Sequence, residues 1–160
     1  YTLSLHDALP ISADMSEYQH VEILYAEDNP ADAELTLRTL KAKHIANNIV
    51  WVKDGAEALD FLYCRDAYAG RTNGMPKLIL LDLKMPRMDG IDVLRELKSD
   101  ERMKTIPVVI MTSSSEETDL VRSYQLGVNS FVVKPVDFDK FADMVEEIGL
   151  YWMISNKTPG

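Results

Sequence analysis

The chain has 160 residues, 46% of them hydrophobic, enough for one domain with a sizeable core and too many for a disordered chain. Seventeen Lys and Arg against 26 Asp and Glu give a net charge of −9, which repels polyanions and argues against direct nucleic-acid binding. Cys64 is the one cysteine, so an internal disulfide framework and a Cys-rich metal site are excluded. No apolar run approaches the ~20 residues that cross a bilayer, and the expectation is a cytoplasmic protein that does not enter the membrane.

Residues 1–14 stand apart. Tyr1 to Ile11 matches, residue for residue, the in-frame translation of a common sequencing-adapter oligonucleotide, and Ser12 fits its leftover base. The stretch lacks the basic start and sustained apolar run of a signal peptide. It is read as non-native, with a native start at Met15, one domain over 15–154 and a short tail over 155–160. Val21 to Glu27 is then a short apolar strand ending in acids. Asn29-Pro30 opens a helix as cap and first residue, with Ala33, Leu37 and Leu40 on one face. Asn48 to Lys53 is β-branched and aromatic, hence a strand. Asp54 caps a second helix bearing Ala58, Leu59 and Leu62, with Cys64 expected on a helix face. Arg65 to Pro76 is a loop. KLILLD, ending at Asp82, has the unbroken apolar character of a strand covered on both faces of a parallel sheet.

The turn MPRMDG leads to a third helix with Ile91, Val93, Leu94 and Leu97. Strand VVIM ends at Thr112. The run SSSEETD starts a fourth helix expected to reach Leu126 and to close at Gly127; its acids Glu116, Glu117 and Asp119 suit a helix N-terminus. Strand SFVV ends at Lys134-Pro135, where a cis bond is one option. Asp137 caps a last helix in which Phe141, Val145, Ile148 and Trp152 form one stripe. His20 and His44 are expected at the surface. Five β/α units of this kind predict an α/β fold: a doubly wound (βα)5 domain whose parallel sheet carries helices on both faces. Ligands in such sheets lie beyond the carboxyl ends of the strands. Those ends supply Glu27 and Asp28, Asp82, Thr112 and Lys134.

Three carboxylates, a hydroxyl and an amine therefore meet on one sheet edge. Clustered carboxylates call for a cation, and hard oxygen ligands favour Mg²⁺. A carboxylate beside such an ion can attack phosphorus and form an aspartyl phosphate. Thr112 and Lys134 would then donate to the phosphoryl oxygens. Thr112 as a plain helix cap, Lys134 as a solvated lysine and Phe131 as plain core are the bland alternatives.

The ordered set Glu27-Asp28, Asp82, Met85-Pro86, Asp89-Gly90, Thr112 and Lys134-Pro135 resembles the receiver domains of two-component response regulators over about Met15 to Trp152. Within that family the long loop before the third strand and the aromatic end LYWMI are similar to the free-standing regulators that partner phytochrome-type kinases. The resemblance implies a flavodoxin-like strand order 2-1-3-4-5 and phosphoryl transfer from a sensor histidine kinase onto Asp82. It implies Mg²⁺ held by Asp28, Asp82 and the Lys84 backbone carbonyl, with Glu27 bound directly or through water. Thr112 and Lys134 would contact the phosphoryl group, and Phe131 would occupy the rotating aromatic position. Output would pass by protein contact or phosphorelay to an unidentified downstream protein, with no output domain attached and no enzymatic activity beyond self-phosphorylation and self-dephosphorylation. The Lys84 side chain is expected to overhang the phosphoryl group and slow its loss. A homodimer through Tyr151 and Trp152, coupled to the site by Phe131, completes the reading. A haloacid-dehalogenase-type phosphatase is disfavoured, since that family needs Asp-x-Asp after the first strand and this chain has Glu27-Asp28-Asn29-Pro30. A phosphorylation-independent interaction module is the remaining alternative.

Overall fold

Strand-like and helix-like runs alternate along the sequence because each parallel strand needs a crossover helix to return the chain to the same edge. A computed structural model describes residues 21–147 apart from 45, 47 and 73, with side chains through Met144. The elements are β1 (Ile23–Ala26), α1 (Pro30–Ala42), β2 (Ile49–Val52), α2 (Gly55–Leu62), a 3₁₀ turn (Asp66–Tyr68), β3 (Leu78–Asp82), α3 (Gly90–Lys98), β4 (Val108–Thr112), α4 (Ser115–Ser123), β5 (Ser130–Val133) and α5 (Phe138–Glu147). All pairings are parallel, in the order β2-β1-β3-β4-β5. The doubly wound (βα)5 expectation is met. The readings of residues 1–14, the tail over 155–160, His20, the Val145 side chain, Ile148, Tyr151 and Trp152 lie outside the described residues.

Side chains alternate across a strand, so each strand serves two cores. Leu24, Ala26, Ile79, Leu81, Val108 and Ile110 pack with α2, α3 and Val121 of α4. Ile23, Tyr25, Leu78, Leu80, Val109 and Met111 pack with Ala33, Leu37 and Leu40 of α1 and Phe141 of α5. The three central strands β1, β3 and β4 are buried at every position. Helix starts follow the predicted caps: Asn29 accepts from the amides of Ala31 and Asp32, Asp54 from Glu57, and Asp137 from Asp139 and Lys140.

Two local expectations fail. Helix α4 stops at Ser123, short of Leu126. It buries only Thr118 and Val121, so no apolar stripe carries it further. The chain leaves it through Gln125 at φ 53° and turns again at Gly127 at φ 74°. Its cap is Ser114, whose hydroxyl accepts from the Glu117 amide, and not Thr112. Cys64 lies beyond α2 in a left-handed conformation at φ 55°, with its thiol donating to the Arg71 carbonyl; it is not on a helix face. His44 is exposed as expected.

Candidate active site

Parallel register brings the strand ends together. Asp82, the last residue of β3, is level with Met111, and Thr112 with Val133. Glu27 follows β1 and its amide donates to the Val52 carbonyl. Lys134 follows β5 and its amide donates to the Thr112 carbonyl at 2.8 Å. Gly90 allows the approach that closes this edge: its amide donates to the Leu83 carbonyl, and a Cβ there would come 2.7 Å from the Asp82 carbonyl oxygen. That close contact gives the Asp89-Gly90 pair a physical reason, since Asp89 caps α3 by accepting from the Asp92 amide and Gly90 lets the helix start against the acceptor strand.

Lys134 is the hub. Its Nζ lies 3.0 Å from Glu27 Oε1, 3.0 Å from Asp82 Oδ1 and 3.8 Å from Asp32 Oδ2. Glu27 is almost wholly buried. Its Oε1 also accepts from the Tyr25 hydroxyl at 3.3 Å, and its Oε2 from the Asn29 amide at 3.2 Å. The Trp51 indole donates to the Glu27 carbonyl at 2.7 Å. Asp28, by contrast, is exposed. One oxygen each from Glu27, Asp28 and Asp82 lie within 4.8 Å of one another. Burial is the largest influence on Asp82 and pushes its carboxyl up to about 7; the hydrogen bond from Lys134 opposes this and the charge of Glu27 reinforces it. Burial disfavours the Lys134 ammonium, yet its bonds to Glu27 and Asp82 prevail and hold it above the ordinary lysine range. Burial also pushes the Tyr25 phenol well up, which keeps it a neutral donor to Glu27. One ammonium thus faces more carboxylate charge than it can balance. A hard divalent cation fits the surplus.

Sequence reasoning placed Glu27, Asp28, Asp82, Thr112 and Lys134 correctly at one edge, and the Lys134–Pro135 bond is cis. It missed the supports. Tyr25 was findable, because it stands two residues before Glu27 and so shares its side of the strand. Trp51, level with Tyr25 on β2, showed only as strand-like. Asp54, likewise, does more than cap: it takes Nε and Nη2 of Arg87 at 2.8 and 3.0 Å, pinning the loop after Asp82. Arg87 there adopts φ 63°, a left-handed turn that no glycine announces.

The Lys84 side chain, expected to overhang the phosphoryl group, reaches Glu117 Oε2 at 2.9 Å. Glu117 Oε1 also accepts the amide and hydroxyl of Ser113 at 2.7 and 2.9 Å. These bonds, the Ser113 amide first, hold the Glu117 carboxyl below its usual range. So Glu117 ties the loop after β3 to the start of α4, beyond any effect on the helix dipole. Thr112 is buried, its Oγ1 3.1 Å from Thr118 Oγ1. Phe131, half-buried beside Ile110 on β5, has the Arg122 guanidinium 4.9 Å from its ring centre.

The model of the response regulator receiver domain family matches residues 23–146. The chain belongs to that family. The curated protein named "Probable methanogenesis regulatory protein FilR2", of Methanothrix harundinacea (strain 6Ac), is 41% identical over 86% of this chain and 87% of its own length. Response regulator Rcp1 of Synechocystis sp. (strain PCC 6803) is 37% identical over 82% and 88%; its Mn²⁺-bound crystal structure superposes with a TM-score of 0.67 at 36% identity, covering 88% of this chain and 99% of that one. The bacteriophytochrome response regulator AtBRR superposes with a TM-score of 0.78 at 50% identity, over 83% of this chain and 95% of that one. Receiver domains are signalling modules that take their phosphoryl group from a histidine kinase, and they bind Mg²⁺ or Mn²⁺ in an acidic pocket such as the one found here. Among the described residues no helix is long and apolar enough to cross a membrane.

Proposed function

We propose that Asp82 accepts a phosphoryl group from the phosphohistidine of a sensor kinase. A carboxylate oxygen of Asp82 forms the new O–P bond while the donor's N–P bond breaks and its electron pair returns to the imidazole. Glu27, Asp28, Asp82 and the Lys84 backbone carbonyl would hold Mg²⁺, which supplies charge neutralisation for the phosphoryl oxygens. Lys134 exchanges its bond to Asp82 for one to a phosphoryl oxygen while staying tied to Glu27, and Thr112 donates its hydroxyl to another. The observation that carries this reading is the Lys134 ammonium 3.0 Å from both Glu27 and Asp82, a cation stationed against the acceptor. Acetyl phosphate with Mg²⁺ should place one acid-labile phosphate on the protein, and Asp82→Asn should place none. Phosphate on the variant would refute the assignment of Asp82.

The input, in this reading, is a phytochrome-type kinase in the cytoplasm, as the named partner class of AtBRR suggests. Phosphoryl transfer from such a kinase, tested directly, decides it. The output runs through the face of α4, β5 and α5, where Leu120, Tyr124 and Val133 are exposed and Phe131 lies beneath Arg122 as the switch residue. Tyr151 and Trp152 would extend that face into a homodimer. Sedimentation of the wild type and Trp152→Ala, with and without phosphorylation, tests it; a monomer throughout would refute the dimer. Residues 1–14 are not native and can be deleted without loss of phosphorylation, leaving the domain over 15–154 and a tail over 155–160.

A further inference from the structure

Helix α4 buries just two side chains, Val121 and Thr118. One of its two anchors is therefore a hydroxyl, and that hydroxyl is paired with Thr112, both residues being buried. Thr118 Oγ1 also lies 3.3 Å from the carbonyl of Ser114, a back-bond one turn earlier in the helix. In the 3.1 Å contact between the two hydroxyls either oxygen can donate. In both cases the bond ties the Thr112 hydroxyl to α4 in the resting protein. The neighbouring Glu117 holds the same helical turn through Lys84 and Ser113.

We propose that Thr118 is a positioning residue for the acceptor site: its hydroxyl holds Thr112 in a resting rotamer, and capture of Thr112 by the phosphoryl group on Asp82 strips α4 of one of its two buried anchors. This rests on the proposed role of Thr112 toward the phosphoryl group. It goes further in making the start of α4 a competitor for the same hydroxyl. Loss of the pair leaves the Thr118 hydroxyl bonded to the Ser114 carbonyl of its own helix and removes the bond that joins α4 to the end of β4.

The test uses the full chain with Thr118→Val, which keeps the shape and removes the hydroxyl, and Thr118→Ser, which keeps the hydroxyl. Three-bond NMR couplings from the Thr112 methyl carbon report its χ1 without any phosphorylation. They should show one rotamer in the wild type and in Thr118→Ser, and averaging in Thr118→Val. Labelling by acetyl phosphate should then be about fivefold faster in Thr118→Val, the weight of one neutral hydrogen bond, and return to the wild-type rate in Thr118→Ser. An unchanged single Thr112 rotamer in Thr118→Val would overturn the proposal. So would a Thr118→Ser protein that behaves like Thr118→Val, since shape and not the hydroxyl would then be responsible. Couplings as predicted, with no phosphate on the wild type, would instead refute the acceptor reading, and with it the release step, while leaving the resting pair in place.

Discussion

The α2–α3 and α4–β5 parts of the molecule are built differently. On one side, α2 buries Gly55, Ala58, Leu59, Phe61 and Leu62, and α3 buries Gly90, Val93, Leu94 and Leu97. On the other, α4 buries two residues, and of the four in β5 only Val132 is fully covered. Grooves of about 370 and 580 Å³ flank β5, one toward α4 and one toward α5. Leu120, Tyr124 and Val133 project from the same side. The acceptor is fixed by the densely packed half, while Lys134, Phe131 and the partner of Thr112 belong to the thinly packed one. A close-packed core resists graded movement. An element held by few buried contacts can be re-set by a change of about one hydrogen bond. In the proposed mechanism this division puts the chemistry on the densely packed side and the response on the thinly packed one.

That contrast can be broken at the core. Leu94→Ala removes a fully buried side chain from α3 and should cost about 2–5 kcal/mol in urea unfolding. A cost near zero would mean that the dense half is not dense. Gly90→Ala comes next. Its Cβ would meet the Asp82 carbonyl oxygen and, at 3.2 Å, the Leu83 Cα, both backbone atoms that side-chain rotation cannot relieve. A loss of about 1–3 kcal/mol is expected, with slower labelling by acetyl phosphate because the end of β3 must shift.

A third variant acts through charge. Asp82 is raised to about 7 in the fold, above the ~4 of an unfolded aspartate. The unfolded chain releases this proton first, so the metal-free protein should lose stability as pH rises from about 4 to 7. Asp82→Asn removes that loss. In EDTA it should stabilise the fold by on the order of 1 kcal/mol at pH 8 and by less at pH 5, read from urea midpoints. A larger gain at pH 5 would contradict the burial argument. The smallest effect sharpens the comparison from the thin side: Leu120→Ser, at 51% exposure, should stay within about 0.5 kcal/mol of the wild type. A larger loss would show that α4 has an apolar anchor besides Val121.

The fold was legible because each strand end and cap is signalled locally: KLILLD reads as a doubly covered strand, and Asn29, Asp54 and Asp137 each accept amide bonds at the helix starts they announce. The five site residues were legible because parallel topology forces strand ends together. What stayed hidden depends on side-chain reach between elements. The Lys84–Glu117 and Arg87–Asp54 pairs span 33 residues each and follow no period. Thr118 looks like any polar residue on a helix until its hydroxyl is found 3.1 Å from that of Thr112. The end of α4 was misjudged because Gly127 is a conspicuous stop signal, whereas the left-handed Gln125 before it is not.

The central claim is that Asp82 alone bears the phosphoryl group. Borohydride reduces an acyl phosphate, converting the aspartate beneath it to homoserine, and leaves free carboxylates untouched. Protein treated with acetyl phosphate and Mg²⁺, reduced, digested and sequenced by mass spectrometry should show that conversion at position 82 and nowhere else, and none when EDTA replaces the metal. Conversion at Asp28 or at any other carboxylate, or none at position 82, would contradict the account.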